Sequence, residues 1–369
     1  MNQSSKNKTV DVAFICPTLD GGLGSTIVTL AEKMRNRGLS IEIWVLKKDK
    51  KSISVTSVPT RVIFSSRATL ALIKLVRAIN TYKPKNILSA SYHLNCVVIF
   101  AKMISKLKPH LIIAEHTSLE AGFDSLSFQK RLFAKLAIAL LYRFSDELVA
   151  VSNDAARQME RFGLLKKNKA QTIYNPVICN DIFEKSKDEI NHPFLASNNK
   201  LFLSVGRISK EKDFPTLIAA FQRIIYIKEA RLIIIGDGPD KAKLKQLIEN
   251  SGLSERIALL GHMSNPYPLY SRADVFVLSS IREGLPTVLI EALAFGCKVV
   301  STDARTGPRE ILKNGAFGTL VPTSDIKALA NAMIDSIKDN TKRTIPKDAL
   351  SNYKVDHAVN RYVSILKLK

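Results

Sequence analysis

REGLPTVLIEALAFG, residues Arg282 to Gly296, combines a polar loop with the start of a helix. Pro286 is expected to open this helix, because proline lacks the N–H that would have no partner in a first helical turn. Unpaired N–H groups and the helix dipole favour an anion there, such as phosphate. Glu283 and Glu291 lie about 12 Å apart along a helical path, too far to act on one bond together. The spacing suits two anchors along an extended ligand, although a plain amphipathic helix with two solvated glutamates is the alternative.

Strands and helices alternate on both sides of this stretch, a pattern typical of parallel α/β sheets. One series starts at Val10–Cys16 and a second at Leu201–Val205, and the polar segment Asp181–Lys200 between them is expected to be a linker. The sequence therefore predicts an α/β fold of two doubly wound, Rossmann-like domains, residues 1–180 and 181–354, that face each other across a cleft. Ligands of such sheets bind beyond the carboxyl ends of the strands.

The composition favours a globular protein of a reducing compartment. The 369 residues are 46% hydrophobic and 24% charged, which is enough for two ordinary domains. The cysteines Cys16, Cys96, Cys179 and Cys297 show no C-x-x-C spacing, so neither a disulfide framework nor a cysteine metal site is expected. We find no signal-peptide pattern and no apolar run of about 18 residues, and we expect a cytoplasmic protein.

Positive charge is concentrated in the first half of the chain. The formal net charge is +22, and between Ile43 and Ala114 thirteen Lys and Arg residues face a single acid, Asp49. The predicted helix Phe128–Arg143 mixes apolar side chains with basic ones at Lys130, Arg131 and Lys135. Such one-sided charge predicts an anionic partner, which can be nucleic acid, anionic lipid or a phosphorylated acceptor. Basic side chains that merely solvate the surface are the alternative.

Two loops of the first series carry candidate binding residues. Gly22 and Gly24 precede a helix expected at about Ser25–Arg37 and would let the backbone approach an anion closely. Binding of a dinucleotide is disfavoured, because Ile27 takes the third glycine position and no acid ends the second strand. A plain glycine turn is therefore the alternative. His116 ends a later strand and would face the cleft, although a lone histidine is as often structural.

Loops that follow strands of the second series form a larger candidate set. Arg207, Lys210 and Lys212 come after Leu201–Val205 and could hold a diphosphate and stabilise it as it departs, unless they are only a solvated charge run. Gly206 begins the same loop, and Gly236-Asp237-Gly238-Pro239 after the next strand is a turn signal that also leaves room for a flat base. His262, beside Met263, could line a base pocket through backbone atoms, although a loop histidine with no role is at least as likely. The loop Thr302–Glu310 is rich in polar groups. No D-x-D pair, phosphate loop, nucleophile elbow or H-E-x-x-H zinc motif occurs, so no metal is expected.

The ordered set V-G-R-x₄-K, G-D-G-P and E-G-L-P, followed by Glu291, strongly resembles the family-4 retaining glycosyltransferases of the GT-B fold. The resemblance is dense from Leu201 to about Thr323 and thinner in the first half. The run T-G-P-R-E-I-L from Thr306 is similar to bacterial members that build capsule, O-antigen, lipopolysaccharide or lipid-linked oligosaccharide. The resemblance also implies a final helix, residues 355–369, that packs back on the first domain, which would bind the acceptor.

The resemblance implies a role for each matching residue. Arg207 and Lys212 would grip the diphosphate of a nucleotide-sugar donor, with a UDP-sugar as the expected substrate. Glu291 would hold the ribose, Glu283 would contact the donor sugar, and His116 would reach that sugar near the reacting carbon. Backbone groups complete the predicted donor site: Gly22, Gly24, Gly206, Gly236, Gly238, Met263, Gly284, Leu285 and Thr287. No cofactor is implied, since the nucleotide-sugar is a substrate and the family usually needs no metal.

The expected reaction is transfer of a hexose or N-acetylhexosamine to a lipid-linked or polysaccharide acceptor. The protein is expected to contact the inner face of the plasma membrane through Lys130, Arg131 and Lys135. A nucleotide-sugar epimerase of the same two-domain architecture is the alternative enzyme. A nucleic-acid-binding protein is the alternative outside enzymes, but the sequence lacks RNA-recognition aromatics, a helix-turn-helix and a zinc module. We therefore expect no nucleic-acid partner.

Overall fold

The structure is a computed structural model that describes residues 9–19, 21–46, 56–63, 68–124, 126–195, 199–338, 345–346 and 348–368. The chain divides into two compact units, Met1–Pro176 with Val355–Lys369, and Val177–Lys354. Each unit has its own parallel sheet and its own core of buried aliphatic and aromatic side chains. The predicted fold class of two doubly wound α/β domains is therefore confirmed.

In its described part, the first unit has a seven-stranded parallel sheet of order β3-β2-β1-β4-β5-β6-β7. The central strands are buried on both faces because helices cover both sides of the sheet. The strands are β1 (Val12–Cys16), β2 (Ile41–Val45), β3 (Thr60–Val62), β4 (Asn86–Ala90), β5 (His110–Glu115), β6 (Glu147–Ala150) and β7 (Ala170–Thr172). The helices are α1 (Gly21–Asn36), α2 (Ala68–Tyr82), α3 (Tyr92–Ile104), α4 (Leu119–Asp124), α5 (Phe128–Leu141), α6 (Asn153–Phe162) and α14 (Val355–Ser364).

The described part of the second unit has a six-stranded parallel sheet of order β10-β9-β8-β11-β12-β13. Its strands are β8 (Lys200–Val205), β9 (Ala230–Ile235), β10 (Ile257–Gly261), β11 (Val275–Leu278), β12 (Lys298–Thr302) and β13 (Thr319–Val321). Its helices are α7 (Asn180–Lys185), α8 (Phe214–Gln222), α9 (Lys241–Asn250), α10 (Tyr267–Tyr270), α11 (Thr287–Ala294), α12 (Pro308–Ile311) and α13 (Ile326–Lys338). The strand order reverses between β8 and β11, which are neighbours, so the two loops that follow these strands start side by side.

Backbone hydrogen bonds explain where the chain passes from one unit to the other. The division falls after Pro176 rather than after residue 180, because the N–H groups of Val177 and Ile178 both donate to Tyr353 O, at 2.9 and 3.0 Å. The chain returns to the first unit at Val355. There, Asn86 on β4 exchanges two hydrogen bonds of 2.8 Å with the backbone of Lys367.

Three predicted helix bounds need correction. Helix α1 begins at Gly21, before Ser25, and Gly24 within it packs on the backbone of Leu19, where a Cβ would lie 1.9 Å from Leu19 O. The apolar pattern from Phe214 predicts a helix to Ile227, but α8 ends at Gln222, before a segment rich in β-branched isoleucine, which disfavours helix. Pro286 is extended, with ψ 93°, so it caps α11 from outside instead of opening it, and the helix ends at Ala294.

Several short elements were not predicted, namely α4, α7 and β13. Helix α7 lies in the predicted linker, where Phe183 packs on Phe295 with ring centroids 5.3 Å apart. Part of the predicted basic stretch, residues 47–51 and 67, lies outside the described residues. Within the described part of the chain, no helix combines the length and apolar character needed to cross a membrane.

Candidate functional site

The strand reversal of the second unit brings together the two loops that carry most of the predicted donor residues. The loop after β8 contains Gly206 and Arg207 and continues into a short 3-10 helix, Lys210–Lys212. The loop after β11 contains residues 279–286 and leads into α11. The loops are joined by Ser279 Oγ, which donates to Lys212 O at 2.8 Å, and by Ile281 N–H, which donates to Glu211 O at 2.9 Å.

A nearly buried ion pair lies between these loops. Lys212 Nζ is 2.5 Å from Glu283 Oε1, and the two side chains are 19% and 9% exposed. Ser280 Oγ donates to the same carboxylate oxygen at 2.6 Å. Two donors thus hold one oxygen of Glu283 in place, and the ammonium group of Lys212 is balanced by a carboxylate. The sequence prediction treated Lys212 and Glu283 as separate ligand contacts and missed both their pairing and Ser280.

The backbone of the E-G-L-P turn is supported by the loop after β12. Thr306 Oγ1 donates to Glu283 O, and Gly307 packs on the Pro286 ring, where a Cβ would lie 2.4 Å from Pro286 Cδ. The turn therefore has a fixed path before Thr287 starts α11, whose first amides have no partner inside the helix. The loop Thr302–Glu310 was predicted only as polar, and its supporting role had no sequence signal beyond T-G-P.

Glu291, the second predicted carboxylate, is bound by a tyrosine. Tyr270 Oη donates to Glu291 Oε2 at 2.8 Å. Burial raises the pKa of Glu291 to about 7, and the hydrogen bond from Tyr270 partly offsets this rise. The Tyr270 ring stacks on Phe295 and Phe276 at centroid distances of 6.0 and 5.5 Å. Glu291 is therefore a partly protonated acid near neutral pH in aromatic surroundings, and sequence reasoning missed Tyr270.

The glycines after β9 pack against the loop after β8. A Cβ on Gly236 would lie 1.8 Å from Gly206 O, and a Cβ on Gly238 would lie 2.2 Å from Ile208 O. Glycine at these positions thus allows the two loops to approach each other closely. The predicted reason was different, namely that glycine leaves space for a flat base. Gly236 N–H donates to Gly261 O at 2.8 Å, two residues before Met263, which is partly buried.

Arg207 is exposed in the loop after β8, as are Lys210 on the 3-10 helix and Arg282 in the loop after β11. A hydrogen bond from Ser209, together with smaller contributions from Arg207 and Arg282, lowers the pKa of Glu211. Two adjacent loops thus contain Gly206, Arg207, Lys212, Glu283, Gly284 and Leu285, and Thr287 and Glu291 follow on α11. This arrangement can bind an anion through cations and amides and can accept hydrogen bonds from hydroxyl groups.

Three further predicted residues, Gly22, Gly24 and His116, belong to the first unit. Gly22 is exposed in the first turn of α1, whereas Gly24 is buried. His116 Nδ1 lies 3.2 Å from Asn175 Oδ1, and its buried Nε2 has no hydrogen-bond partner. Burial lowers the pKa of His116 to about 4, so the imidazole is neutral at pH 7. With Nδ1–H donating to Asn175, the hydrogen-bond network assigns Nε2 as an acceptor that suits a hydroxyl group.

Helix α5 carries the predicted basic surface residues beside large exposed apolar ones. Arg131 pairs with Asp124 at 2.7 Å, and Lys135 Nζ lies 5.5 Å from the centroid of the Phe162 ring. Lys130 is exposed. Helix α5 and the end of α3 also expose large apolar side chains, which are Phe100, Met103, Ile104, Phe128, Leu132, Phe133, Leu136 and Leu140.

The chain matches two models of glycosyltransferase families. Residues 185–351 match the glycosyl transferases group 1, and residues 20–181 match glycosyltransferase family 4. A Campylobacter jejuni N-acetylgalactosamine-N,N'-diacetylbacillosaminyl-diphospho-undecaprenol 4-alpha-N-acetylgalactosaminyltransferase is 30% identical over 254 residues, 69% of this chain and 67% of that protein. A second C. jejuni relative is named GalNAc-alpha-(1->4)-GalNAc-alpha-(1->3)-diNAcBac-PP-undecaprenol alpha-1,4-N-acetyl-D-galactosaminyltransferase. It is 26% identical to this chain, and the match covers 96% of this chain and 98% of that protein.

Solved structures share the same fold across nearly the whole chain. The structure of HepE from Anabaena in complex with UDP-glucose has a TM-score of 0.80 at 20% identity. The match covers 96% of this chain and 98% of the HepE chain. Sucrose-phosphate synthase from Thermosynechococcus elongatus has a TM-score of 0.79 at 19% identity and covers 96% and 97%.

Proposed function

Because this chain belongs to the family-4, group 1 glycosyltransferases, we propose that it moves a hexose or N-acetylhexosamine from a UDP-sugar to a lipid-linked or polysaccharide acceptor in cell-surface glycan biosynthesis. The names of the C. jejuni relatives, which include an undecaprenyl diphosphate carrier, support the acceptor class. The UDP-glucose complex of HepE supports the donor class.

The pair of Lys212 and Glu283 at the strand reversal is the observation on which the proposal rests. Glu283 has one oxygen held by Lys212 and Ser280, so its carboxylate is oriented to accept a hydrogen bond from the donor sugar. In this proposal Lys212 shares its charge between Glu283 and the diphosphate, and Arg207 adds a second cation. As the sugar–phosphate bond breaks, these cations stabilise the growing charge, which is worth about 3 kcal/mol per well-placed donor.

We propose that the reaction retains the anomeric configuration and needs no metal. In this mechanism the departing diphosphate accepts the proton of the acceptor hydroxyl group on the same face of the sugar. Glu291 holds the ribose hydroxyl groups, and Gly22, Gly24 and His116 are proposed to contact the donor. Because His116 Nε2 is an unprotonated acceptor, its role would be to orient a sugar hydroxyl group and not to supply positive charge.

The test replaces Lys212 by Ala and measures sugar transfer. We expect a loss of at least about 100-fold in kcat, as for removal of one donor to a developing anion. Lys210→Ala is the matched control, because Lys210 is exposed on the same 3-10 helix and is not paired with Glu283. Near-wild-type turnover of Lys212→Ala would refute the assignment. Conversion of the UDP-sugar without any acceptor would identify the epimerase instead.

We also propose peripheral attachment to the inner face of the plasma membrane through α5. Phe128 and Phe133 are 78% and 75% exposed, and Lys130, Arg131 and Lys135 are interspersed with these apolar side chains. Apolar side chains can enter the interface while basic ones contact anionic lipid. The exposed apolar end of α3, which packs on α5, extends this surface.

Vesicle co-sedimentation tests this attachment. Phe133→Ser should reduce binding to anionic vesicles by roughly tenfold, and a separate variant with charge reversal at Lys130, Arg131 and Lys135 together should reduce it by at least about 100-fold. Lys243→Glu, an exposed charge reversal on α9, is the matched control and should have little effect. Unchanged binding in the α5 variants would refute the proposal. Tight RNA binding with a steep salt dependence would instead favour the nucleic-acid alternative.

A further inference from the structure

A buried acid directly precedes His116. Glu115 is the last residue of β5 and has no solvent exposure. Its Oε1 accepts two hydrogen bonds, from Tyr142 Oη at 2.5 Å and from Asn95 Nδ2 at 2.8 Å. Its other oxygen, Oε2, has no partner, and neither has Asn95 Oδ1. Two buried acceptor atoms on two bonded side chains therefore lack a donor.

A proton on the carboxyl group supplies that donor. An ionised Glu115 would leave a buried, charged oxygen without a hydrogen bond, which is strongly unfavourable. A proton on Oε2 turns this atom into a donor. The Asn95 amide already bonds to Oε1, so its Oδ1 is the acceptor that an acid–amide pair requires. Protonation thus makes Oε2 a donor, and Asn95 Oδ1 is an unpartnered acceptor on the side chain already bonded to Glu115.

The other groups around Glu115 also favour the neutral form. Among the described residues, Tyr92 and Cys96 on α3 and Tyr142 after α5 interact with it electrostatically, and all three are neutral at pH 7. None of them supplies a positive charge to stabilise a carboxylate. In agreement with this, burial raises the pKa of Glu115 to about 8.

We propose that Glu115 works as a neutral carboxylic acid and is the positioning residue of His116. Through Asn95 it ties β5 to α3, and through Tyr142 it ties β5 to the end of α5, the helix assigned above to the membrane. The backbone that carries His116 is fixed by these two bonds, while Asn175 fixes the imidazole ring. The part of this inference that concerns His116 rests on the proposed transferase function, whereas the protonation state does not.

Glu115→Gln is the deciding variant, because glutamine reproduces the neutral acid. Its Oε1 can accept the bonds from Tyr142 and Asn95, and its Nε2 can donate to Asn95 Oδ1. We expect the variant to fold and to keep kcat within about twofold of wild type at pH 7. The wild-type enzyme should lose activity above about pH 8 as Glu115 ionises, and the variant should lack this loss.

Unfolding measurements test the protonation state without any activity assay. The folded pKa lies above the unfolded one, so folded wild type binds an extra proton between about pH 5 and pH 8. Across this window the unfolding equilibrium constant of wild type should rise about tenfold per pH unit relative to Glu115→Gln, and then level off. Glu120→Gln, a control at a partly exposed ion pair with Arg161, should run parallel to wild type.

Each outcome decides the proposal. A pH-dependent stability difference between wild type and Glu115→Gln, with activity retained, supports it. Equal pH dependence, failure of Glu115→Gln to fold, or a tenfold loss of kcat at pH 7 in the folded variant overturns it. If the stability difference appears but no sugar transfer is found in either protein, the proposed function fails and the neutral acid stands.

Discussion

The hydrogen bond between Tyr270 and Glu291 predicts how donor binding depends on pH. If Glu291 holds the ribose hydroxyl groups, it must be ionised to accept both hydrogen bonds. Its pKa is raised to about 7, so the acceptor is lost as pH falls through neutrality. The apparent dissociation constant of the donor is then multiplied by a factor of one plus the ratio of protonated to ionised Glu291. This factor is about 1.1 at pH 8, about 2 at pH 7 and about 11 at pH 6. We therefore expect KM for the donor to rise about tenfold from pH 8 to pH 6.

Tyr270→Phe should shift this dependence to higher pH. The phenol hydrogen bond lowers the pKa of Glu291, so removal of the hydroxyl group raises it further, while the ring can still stack on Phe295 and Phe276. KM at pH 7 should rise, and kcat should stay nearly constant, because the ribose is remote from the reacting bond and its binding is uniform.

The assay is initial-rate kinetics against donor at pH 6, 7 and 8 with saturating acceptor. The intact UDP-sugar is needed, because the terminal phosphate of free UDP titrates near the same pH. Glu291→Gln is the control, since it cannot titrate and should give a KM that is high and independent of pH. A flat wild-type KM between pH 6 and pH 8, or the same slope in Glu291→Gln, would refute this reasoning.

Two further predictions concern the first unit. Gly24→Ala places a Cβ 1.9 Å from Leu19 O and should lower the free energy of unfolding, measured by denaturant titration, by about 3 kcal/mol. Gly22→Ala is the control and should change it little, because a Cβ there meets nothing within 4 Å. Equal stability of the two variants would contradict the packing argument. Asn175→Ala removes the partner of His116 Nδ1 and should lower kcat by roughly tenfold with little change in donor affinity; an unchanged kcat would show that the orientation of His116 does not matter.

The sequence predicted the fold class and the location of the candidate site for one physical reason. Strands of a parallel sheet covered by helices are apolar runs, and the polar residues that follow them must collect at one edge. This argument located Arg207 and Lys212 after one strand and Glu283 after another. The neighbouring order of β8 and β11 then makes these loops adjacent, which the apolar pattern alone does not reveal.

Side-chain pairing could not be predicted in the same way. Lys212 and Glu283 are 71 positions apart, and Tyr270 and Glu291 are 21 apart, so each contact depends on the tertiary path of the chain. The missed elements α4, α7 and β13 have six, six and three residues, which is too short for a periodic pattern to emerge. The protonation state of Glu115 is even harder to predict from the sequence, because the side chains around its carboxyl group come from α3 and from the segment after α5.

The two glutamates of the second unit show how acidic groups can coexist with an anionic ligand. A sugar and a ribose are recognised best by hydrogen-bond acceptors, yet two unpaired carboxylates beside a diphosphate would repel it. The charge of Glu283 is balanced by Lys212, and the ionised form of Glu291, which binds the ribose, accepts a hydrogen bond from Tyr270. The field that an approaching diphosphate meets therefore includes the exposed cations Arg207 and Lys210. It follows that Lys212→Met should weaken donor binding twice, by removing a cation and by exposing the charge of Glu283, so the combination of Lys212→Met with Glu283→Gln should bind UDP better than Lys212→Met alone.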